Sequence, residues 1–294
     1  MELNYSNCTL CPRECGADRR TGRGYCGGGD KAVVSKIMLH RWEEPSVSGT
    51  NGSGAVFFSG CNLRCSFCQN RDISFAIKGK EYGGAELAAE FLQLQGAGAH
   101  NINIVTATPY LPTVIGALSR VKKELDIPVV YNTGGYEKAA AVRALGGLVD
   151  VWLPDFKYYD GALAAKYSAA PDYFETAAQA IDAMVGLAGA PVIEDGLVKR
   201  GVIVRHLVLP GHRDDSARVV REIAARWGDK VLISLMRQYT PDFAAADCDL
   251  KRRVTSFEYN SVLAVAEECG LKGYAQDAGS AHAAYTPDFT DTGR

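Results

Sequence analysis

The sequence contains no apolar run long enough to cross a bilayer, so no transmembrane helix is expected. It also lacks an excess of charge of either sign: 32 Lys and Arg stand against 34 Asp and Glu, a formal net charge of -2. That balance excludes a broad basic field, and with it nucleic acid or an anionic membrane as the expected partner. Residues Met1 to Cys8 carry neither a basic region nor an apolar stretch, so no signal peptide is expected and a cytoplasmic protein is the default. Histidine is scarce, and His40, His100 and His282 show no metal-ligand spacing. Cysteine is the exception. There are nine, but they are not spread as a disulfide framework: only Cys248 and Cys269 lie beyond residue 69. A reducing compartment keeps such thiols free, and clustering at one end points to metal. The chain has 294 residues, 47% hydrophobic and 22% charged, which suits one large globular unit with a small appendage.

The first cluster reads Cys8, Cys11, Cys15 and Cys26, spaced C-x2-C-x3-C-x10-C among Gly- and Arg-rich turns. Four thiolates can fill a tetrahedral site, and a structural zinc and a four-cysteine iron–sulfur centre both meet that count. The spacing does not choose between them. Without metal, so glycine-rich a segment has little to bury. The second cluster, within Ser59 to Asn70, reads Cys61, Cys65 and Cys68, spaced C-x3-C-x2-C. Three thiolates cannot close a tetrahedral site. A [4Fe–4S] cluster held by three cysteines leaves one iron open, as catalytic zinc keeps an open position. A partial zinc knuckle or three free thiols are the plainer alternatives. With the spacing, the aromatic Phe67 just before the third cysteine and a strand just upstream, the loop resembles the cluster loop of the radical S-adenosylmethionine (SAM) superfamily.

A strand or extended connector is expected over 31–42, followed by turn-forming residues from Pro45 to Gly54. Buried strands are then expected at 55–59, 100–106, 128–131, 149–153, 201–209 and 231–235. Helical patterns fall between them at 86–92, 111–125, 136–145, 171–187 and 214–227, the last with Asp214 as N-cap and Gly228 as its stop. Strands alternating with helices predict an α/β fold with a parallel sheet. The units are too few for a closed eight-fold barrel, so the expected architecture is a partial (β/α)6 TIM-type barrel with its active end at the C-terminal strand edges. The superfamily resemblance implies the same fold. The predicted organisation is a cysteine-rich metal-binding segment and connector over 1–50, the barrel over 51–240, and a C-terminal helix (254–270) and tail over 241–294. The stretch from Asp277 onward reads as a surface arm or lid.

The predicted strand ends carry polar residues in phase: Thr106 and Thr108, Asn132 and Thr133, Asp155 and Lys157, Arg205 to His212, and Arg237 to Tyr239. Alternation along 201–209 puts Arg205 on one face and His206 on the other. Helices cover the outside of such a barrel, where an unpaired guanidinium is costly, so Arg205 is expected to face the lumen and contact SAM or substrate. His206 is then structural, His212 an unranked candidate, and Arg237, Gln238 and Tyr239 are expected to look into the same mouth.

Asp155-Phe156-Lys157 and Arg205-His206-Leu207-Val208-Leu209-Pro210-Gly211 resemble the Asp-Leu-Lys and Arg-x-Val-Val-Pro-Gly segments of pyruvate formate-lyase activating enzymes. Asn132-Thr133-Gly134 sits where those enzymes carry Asp-Thr-Asn-Gly. The whole chain looks most like an uncharacterised homologue group of those activators. The resemblance implies that Cys61, Cys65 and Cys68 bind a [4Fe–4S] cluster whose fourth iron takes the SAM amino and carboxylate groups. It implies Phe67 beside the adenine, and Asn132, Thr133, Asp155 and Lys157 near the methionine carboxylate with a monovalent cation. The superfamily's Gly-Gly-Glu is replaced here by Thr106-Ala107-Thr108-Pro109, which leaves Thr106 and Thr108 as the candidates for the amino group. Gln238 completes the expected cofactor contacts. The implied activity is reductive cleavage of SAM to a 5′-deoxyadenosyl radical, with a flavodoxin or ferredoxin as electron donor. The first substrate reading is a glycyl residue of a partner enzyme; the second is another protein, a peptide or a small molecule. A non-catalytic iron–sulfur or zinc binding protein is the alternative of a different class, and the open three-cysteine loop argues against it.

Overall fold

A strand pair built on the residues just after the cysteine-rich head starts the fold. The structure, a computed structural model, describes residues 3–246 and 248–277 together with Gly279, Pro287 and Phe289. In it β1 (Ala32–His40) runs antiparallel to β2 (Ser53–Phe58), with the short helix α1 (Pro45–Ser48) between them. After the cysteine loop come α2 (Arg71–Ser74) and β3 (Lys80–Tyr82), which pairs antiparallel with β1. The chain then alternates: α3 (Gly84–Gly96), β4 (Ile102–Val105), α4 (Leu111–Val121), β5 (Val129–Thr133), α5 (Ala139–Ala144), β6 (Val151–Pro154), α6 (Gly161–Ser168) and α7 (Tyr173–Ala188). The hairpin β7 (Val192–Glu194) and β8 (Leu197–Leu207) follows, then α8 (Arg213–Arg226), β9 (Leu232–Met236), α9 (Ser256–Glu268) and β10 (Gly273–Ala275).

Strands β2, β4, β5, β6, β8 and β9 are parallel neighbours, as the alternation predicts, and β10 adds a further parallel edge. Among the described residues the order β10-β9-β8-β6-β5-β4-β2-β1-β3 is a line whose end strands do not meet, so the barrel is partial and open. Outward side chains such as Val56, Ile104, Trp152 and Val204 pack with the helices in the main core. Inward, Val130, Val151, Leu153 and Ile203 close on Val47 of α1, which plugs the lower lumen. The period-2 alternation that separates these faces is the one that assigns Arg205 and His206 to opposite sides.

Local chemistry sets several boundaries differently from the sequence reading. Helix α8 begins one residue before Asp214, with His212 at the N-cap position, and Asp214 lies in its first turn. The neighbouring Asp215 is spent elsewhere: its carboxylate accepts the Tyr159 and Asp160 N–H groups at 3.2 and 2.8 Å. Helix α6, which is not among the helices expected from the sequence, is capped by Asp160, which accepts from the Ala162 and Leu163 N–H groups, and ends at Ala169 with φ 52°. The turn Asp195-Gly196, with φ 51° and 78°, closes the β7–β8 hairpin in the left-handed geometry that Asp-Gly favours. Of the predicted arm from Asp277 onward, all but Asp277, Gly279, Pro287 and Phe289 lies outside the described residues, and so does His282.

Candidate active site

The C-terminal ends of the parallel strands surround a cavity of about 680 Å³, within the range of small-molecule sites. Cys61, Cys65 and Cys68 line it, on the loop that follows β2. Each sulfur has a hydrogen-bonding neighbour. Cys61 Sγ accepts from the Leu63 N–H at 3.4 Å, Cys65 Sγ from the Ser168 hydroxyl at 3.0 Å, and Cys68 Sγ lies 3.4 Å from Ser74 Oγ. Burial pushes the Cys68 thiol up to about 11 and the Cys61 thiol higher still, while the nearby Lys157 pulls both down. A metal that binds here displaces those protons. Three thiols, a compensating half-buried cation and, among the described residues, no fourth cysteine in the cavity wall fit a [4Fe–4S] cluster with one open iron. Phe67, also lining the cavity, is held edge-on by Tyr239, with ring centroids 5.9 Å apart.

Asp155 and Lys157 form an ion pair at the β6 exit, with side chains 22% and 16% exposed. Burial would lower the Lys157 pKa, but the Asp155 carboxylate and the Cys65 sulfur outweigh it and hold the ammonium charged. Lys157 is thus a half-buried, ion-paired lysine and not a free rim cation. Gly135, with φ 80°, is required here: a Cβ would stand 2.0 Å from the Asp155 carbonyl oxygen. Thr106, Asn132, Thr133, Arg205 and Gln238 also line the cavity. Gln238 Oε1 accepts from Gln276 at 3.0 Å.

Several expectations need correction. Thr108 is absent from this cavity's wall. It is buried, and its hydroxyl donates to Glu137, a residue the sequence reading passed over. The same carboxylate oxygen accepts from Thr133 at 2.5 Å and Tyr131 at 3.4 Å, so the Thr133 hydroxyl is also committed away from a ligand. Burial pushes the Glu137 carboxyl up to about 7, against the three hydroxyls that pull it down. Arg205 does face the lumen, but its guanidinium is already engaged. Nε donates to Glu44 Oε1 at 2.8 Å, Nη2 to Glu44 Oε2 at 2.6 Å and to Glu43. Glu43 also accepts from Asn103 at 2.9 Å and Asn132 at 3.2 Å. This charged layer lies above the Val47 plug and floors the cavity. Arg237 turns away, its Nη2 donating to Ser256 at 2.8 Å, and the Tyr239 hydroxyl donates to the Leu250 carbonyl at 2.6 Å. His212 bonds Tyr167 at 2.9 Å outside the cavity. His206 is structural: Nδ1 meets the Phe156 carbonyl at 2.7 Å, while Nε2 is buried without a partner among the described residues.

The four head cysteines share a separate small cavity, and Asn62 of the three-cysteine loop lines it too. The head is seated on the barrel: Arg13 Nε donates to the Asn62 carbonyl at 2.8 Å and Lys138 to the Thr9 carbonyl at 3.1 Å. Gly60, with φ 85°, permits that approach, since a Cβ there would lie 2.6 Å from the Cys26 carbonyl oxygen. Among the described residues no group of three or more His, Cys, Asp or Glu side chains is arranged to hold a single metal ion. No helix among them is long and apolar enough to cross a membrane.

An open parallel barrel with three thiols at its mouth is the frame of an enzyme that works from a cubane iron–sulfur cluster. The sequence profile of the radical SAM superfamily matches residues 55–223, more than half of the chain, and the chain belongs to that superfamily. The family implies radical chemistry with a [4Fe–4S] cluster and SAM. An uncharacterised protein of Methanocaldococcus jannaschii is 30% identical over 277 residues, covering 91% of this chain and 76% of that protein. A radical SAM methyltransferase of Sphaerobacter thermophilus superposes with a TM-score of 0.52 at 15% identity, over 94% of this chain and 84% of that one. SuiB of Streptococcus suis, bound to its precursor peptide SuiA, gives 0.52 at 13% identity over 84% of this chain and 51% of SuiB. The chain thus spans about half of SuiB's length, and likeness at such identities is one of fold.

Proposed function

We propose that Cys61, Cys65 and Cys68 hold a [4Fe–4S] cluster at which SAM is cleaved reductively, and that hydrogen is abstracted from a substrate in the barrel mouth. The observation that carries this reading is that the three thiols, the Asp155–Lys157 pair and the charged floor line one cavity. When bound, the cluster and SAM supply a 5′-deoxyadenosyl radical once an electron arrives from a flavodoxin- or ferredoxin-like donor. The chain's own part is to position and to exclude water. Phe67 packs beside the adenine. Lys157, Asp155 and Asn132 meet the methionine carboxylate, with a monovalent cation at Asp155; Thr106 and Gln238 serve the remaining polar groups. All nine cysteines are free, which suits the reducing cytoplasm.

The segments around Asp155 and Arg205 support a glycyl residue of a partner enzyme as substrate. The floor favours a second reading. Two carboxylates, Glu43 and Glu44, face one guanidinium, and the excess negative charge suits a cationic or donor-rich group on another protein, a peptide or a small molecule. Anaerobic incubation with dithionite and SAM tests the activity through 5′-deoxyadenosine. A glycyl radical signal on an added partner supports the first substrate. A cluster-loaded protein that leaves SAM intact sinks the proposal.

Lys157→Ala should weaken SAM binding by about ten- to a hundredfold, the range for a hydrogen bond to a charged group worth ~1.5–3 kcal/mol. Because it also strands the half-buried Asp155, it should lower the melting temperature. Asp155→Asn with Lys157→Met should recover much of the melting temperature but not the SAM affinity. Recovery of both in titrations would make the pair purely structural.

The head thiols Cys8, Cys11, Cys15 and Cys26 are the second metal site in this reading, for zinc or an iron–sulfur centre. Arg19 supports it. This arginine is 1% exposed, and its donors go to the Gly28, Gly29 and Pro109 carbonyls and to Cys8 Sγ. A guanidinium so far from water needs negative charge beside it, which metal-bound thiolates supply. Elemental analysis of the Cys61→Ala/Cys65→Ala/Cys68→Ala variant should find about one equivalent of zinc, or iron with sulfide. Neither metal being bound would remove the site.

A further inference from the structure

Helix α6 ends against the cysteine loop, and the contact is specific. Its last carbonyls take the loop's amides: the Arg64 N–H donates to the Ser168 carbonyl at 3.2 Å and the Ser66 N–H to the Tyr167 carbonyl at 2.8 Å. Arg13 of the head clamps the same end, donating to the Ala169 carbonyl at 2.5 Å. The helix end is therefore fixed relative to Cys65. From it, the fully buried Ser168 directs its hydroxyl at Cys65 Sγ, 3.0 Å away. The Tyr158 hydroxyl lies 2.8 Å from Ser168 Oγ, and both are buried.

A serine hydroxyl has one proton. A sulfur bound to iron has none, so once Cys65 is a ligand the proton between the two must come from Ser168. Ser168 then has no proton for Tyr158, and the phenol must donate to it. The result is a one-way chain from Tyr158 to Ser168 to the Cys65 sulfur, each donor strengthening the next. Hydrogen bonds to cluster sulfurs help set the reduction potential, because they stabilise the more negative, reduced state.

We propose that Ser168, oriented by Tyr158, is a positioning residue that tunes the cluster, raising its reduction potential through the hydrogen bond to Cys65. The proposal rests on Cys61, Cys65 and Cys68 holding a [4Fe–4S] cluster. An absent cubane signal in the reduced wild-type protein would refute that reading, whatever the serine does.

The test is a redox titration followed by electron paramagnetic resonance, without SAM, on loaded protein. Ser168→Ala should shift the potential downward, so that at the wild-type midpoint the reduced-to-oxidised ratio falls about tenfold, equivalent to about 59 mV for one electron. Iron and sulfide content should stay at the wild-type level. Ser168→Thr keeps the hydroxyl and Ser168→Val removes it at nearly the same shape; Thr should lie near the wild type and Val with Ala. Tyr158→Phe should fall between. An Ala or Val variant at the wild-type potential overturns the proposal. So does equal displacement of Thr and Val, which would mark a shape effect. If Thr takes up the cluster and neither Ala nor Val does, the hydroxyl governs assembly and tuning is refuted.

Discussion

Cys65→Ala should abolish the release of 5′-deoxyadenosine from SAM and remove the cubane signal of the reduced protein. Of the three loop thiols, Cys65 is the one tied to helix α6, through Ser168, and it shares its cavity with Cys61, Cys68 and Lys157. With two thiolates left, a cubane cluster has two irons without protein ligands, and the single open position that makes the site reactive is lost. The fold should survive, because the alanine only trims a side chain at the wall of an open cavity. Far-ultraviolet circular dichroism should therefore match the wild type while iron content falls. Cys61→Ala and Cys68→Ala should behave alike. Retained turnover in Cys65→Ala would sink the assignment of the loop.

Arg205→Leu should cost about 3–5 kcal/mol of stability, the range for removing one partner of a buried ion pair. The guanidinium is 12% exposed, with Glu43 and Glu44 at 8% and 5%. Burial by itself raises the Glu44 carboxyl, yet Arg205 outweighs it and holds Glu44 below the ordinary carboxylate range. Leucine would leave two acidic groups in the lumen with only neutral donors, the Asn103 and Asn132 amides and the Ser234 hydroxyl. Adding Glu43→Gln and Glu44→Gln should recover much of the loss, since a neutral layer has no charge to compensate. Thermal melts of the metal-free proteins read both effects. A single variant that melts like the wild type but binds SAM poorly would return Arg205 to the role of a cofactor contact.

The pairing of Arg205 shows where sequence reading stops. Alternation along β8 placed its side chain in the lumen, and the structure agrees. Its partners were out of reach, because they lie 161 and 162 residues away in a connector whose sequence signals only a turn. Likewise Thr108 sits at a strand end, where polar residues suggest a site. Its short 3-10 turn instead carries it toward Glu137, against the head rather than the mouth. Helix α6 leaves little trace in the sequence because Gly161 to Ser168 has weak amphipathic periodicity, and its Ser168 meets a partner 103 residues away.

The spacing of the two cysteine groups, the alternation of strands and helices, and the openness of the barrel are all legible in the amino-acid order. These follow from covalent spacing and short-period patterning, which act within one element. It takes the folded chain to seat the head against the three-cysteine loop at Asn62 and Cys26, to set Glu43 and Glu44 against Arg205, and to bring Ser168 to Cys65. Each is a meeting of distant segments. Such a meeting is set by how the sheet curls and which helix end lands on which loop, and no local pattern records it.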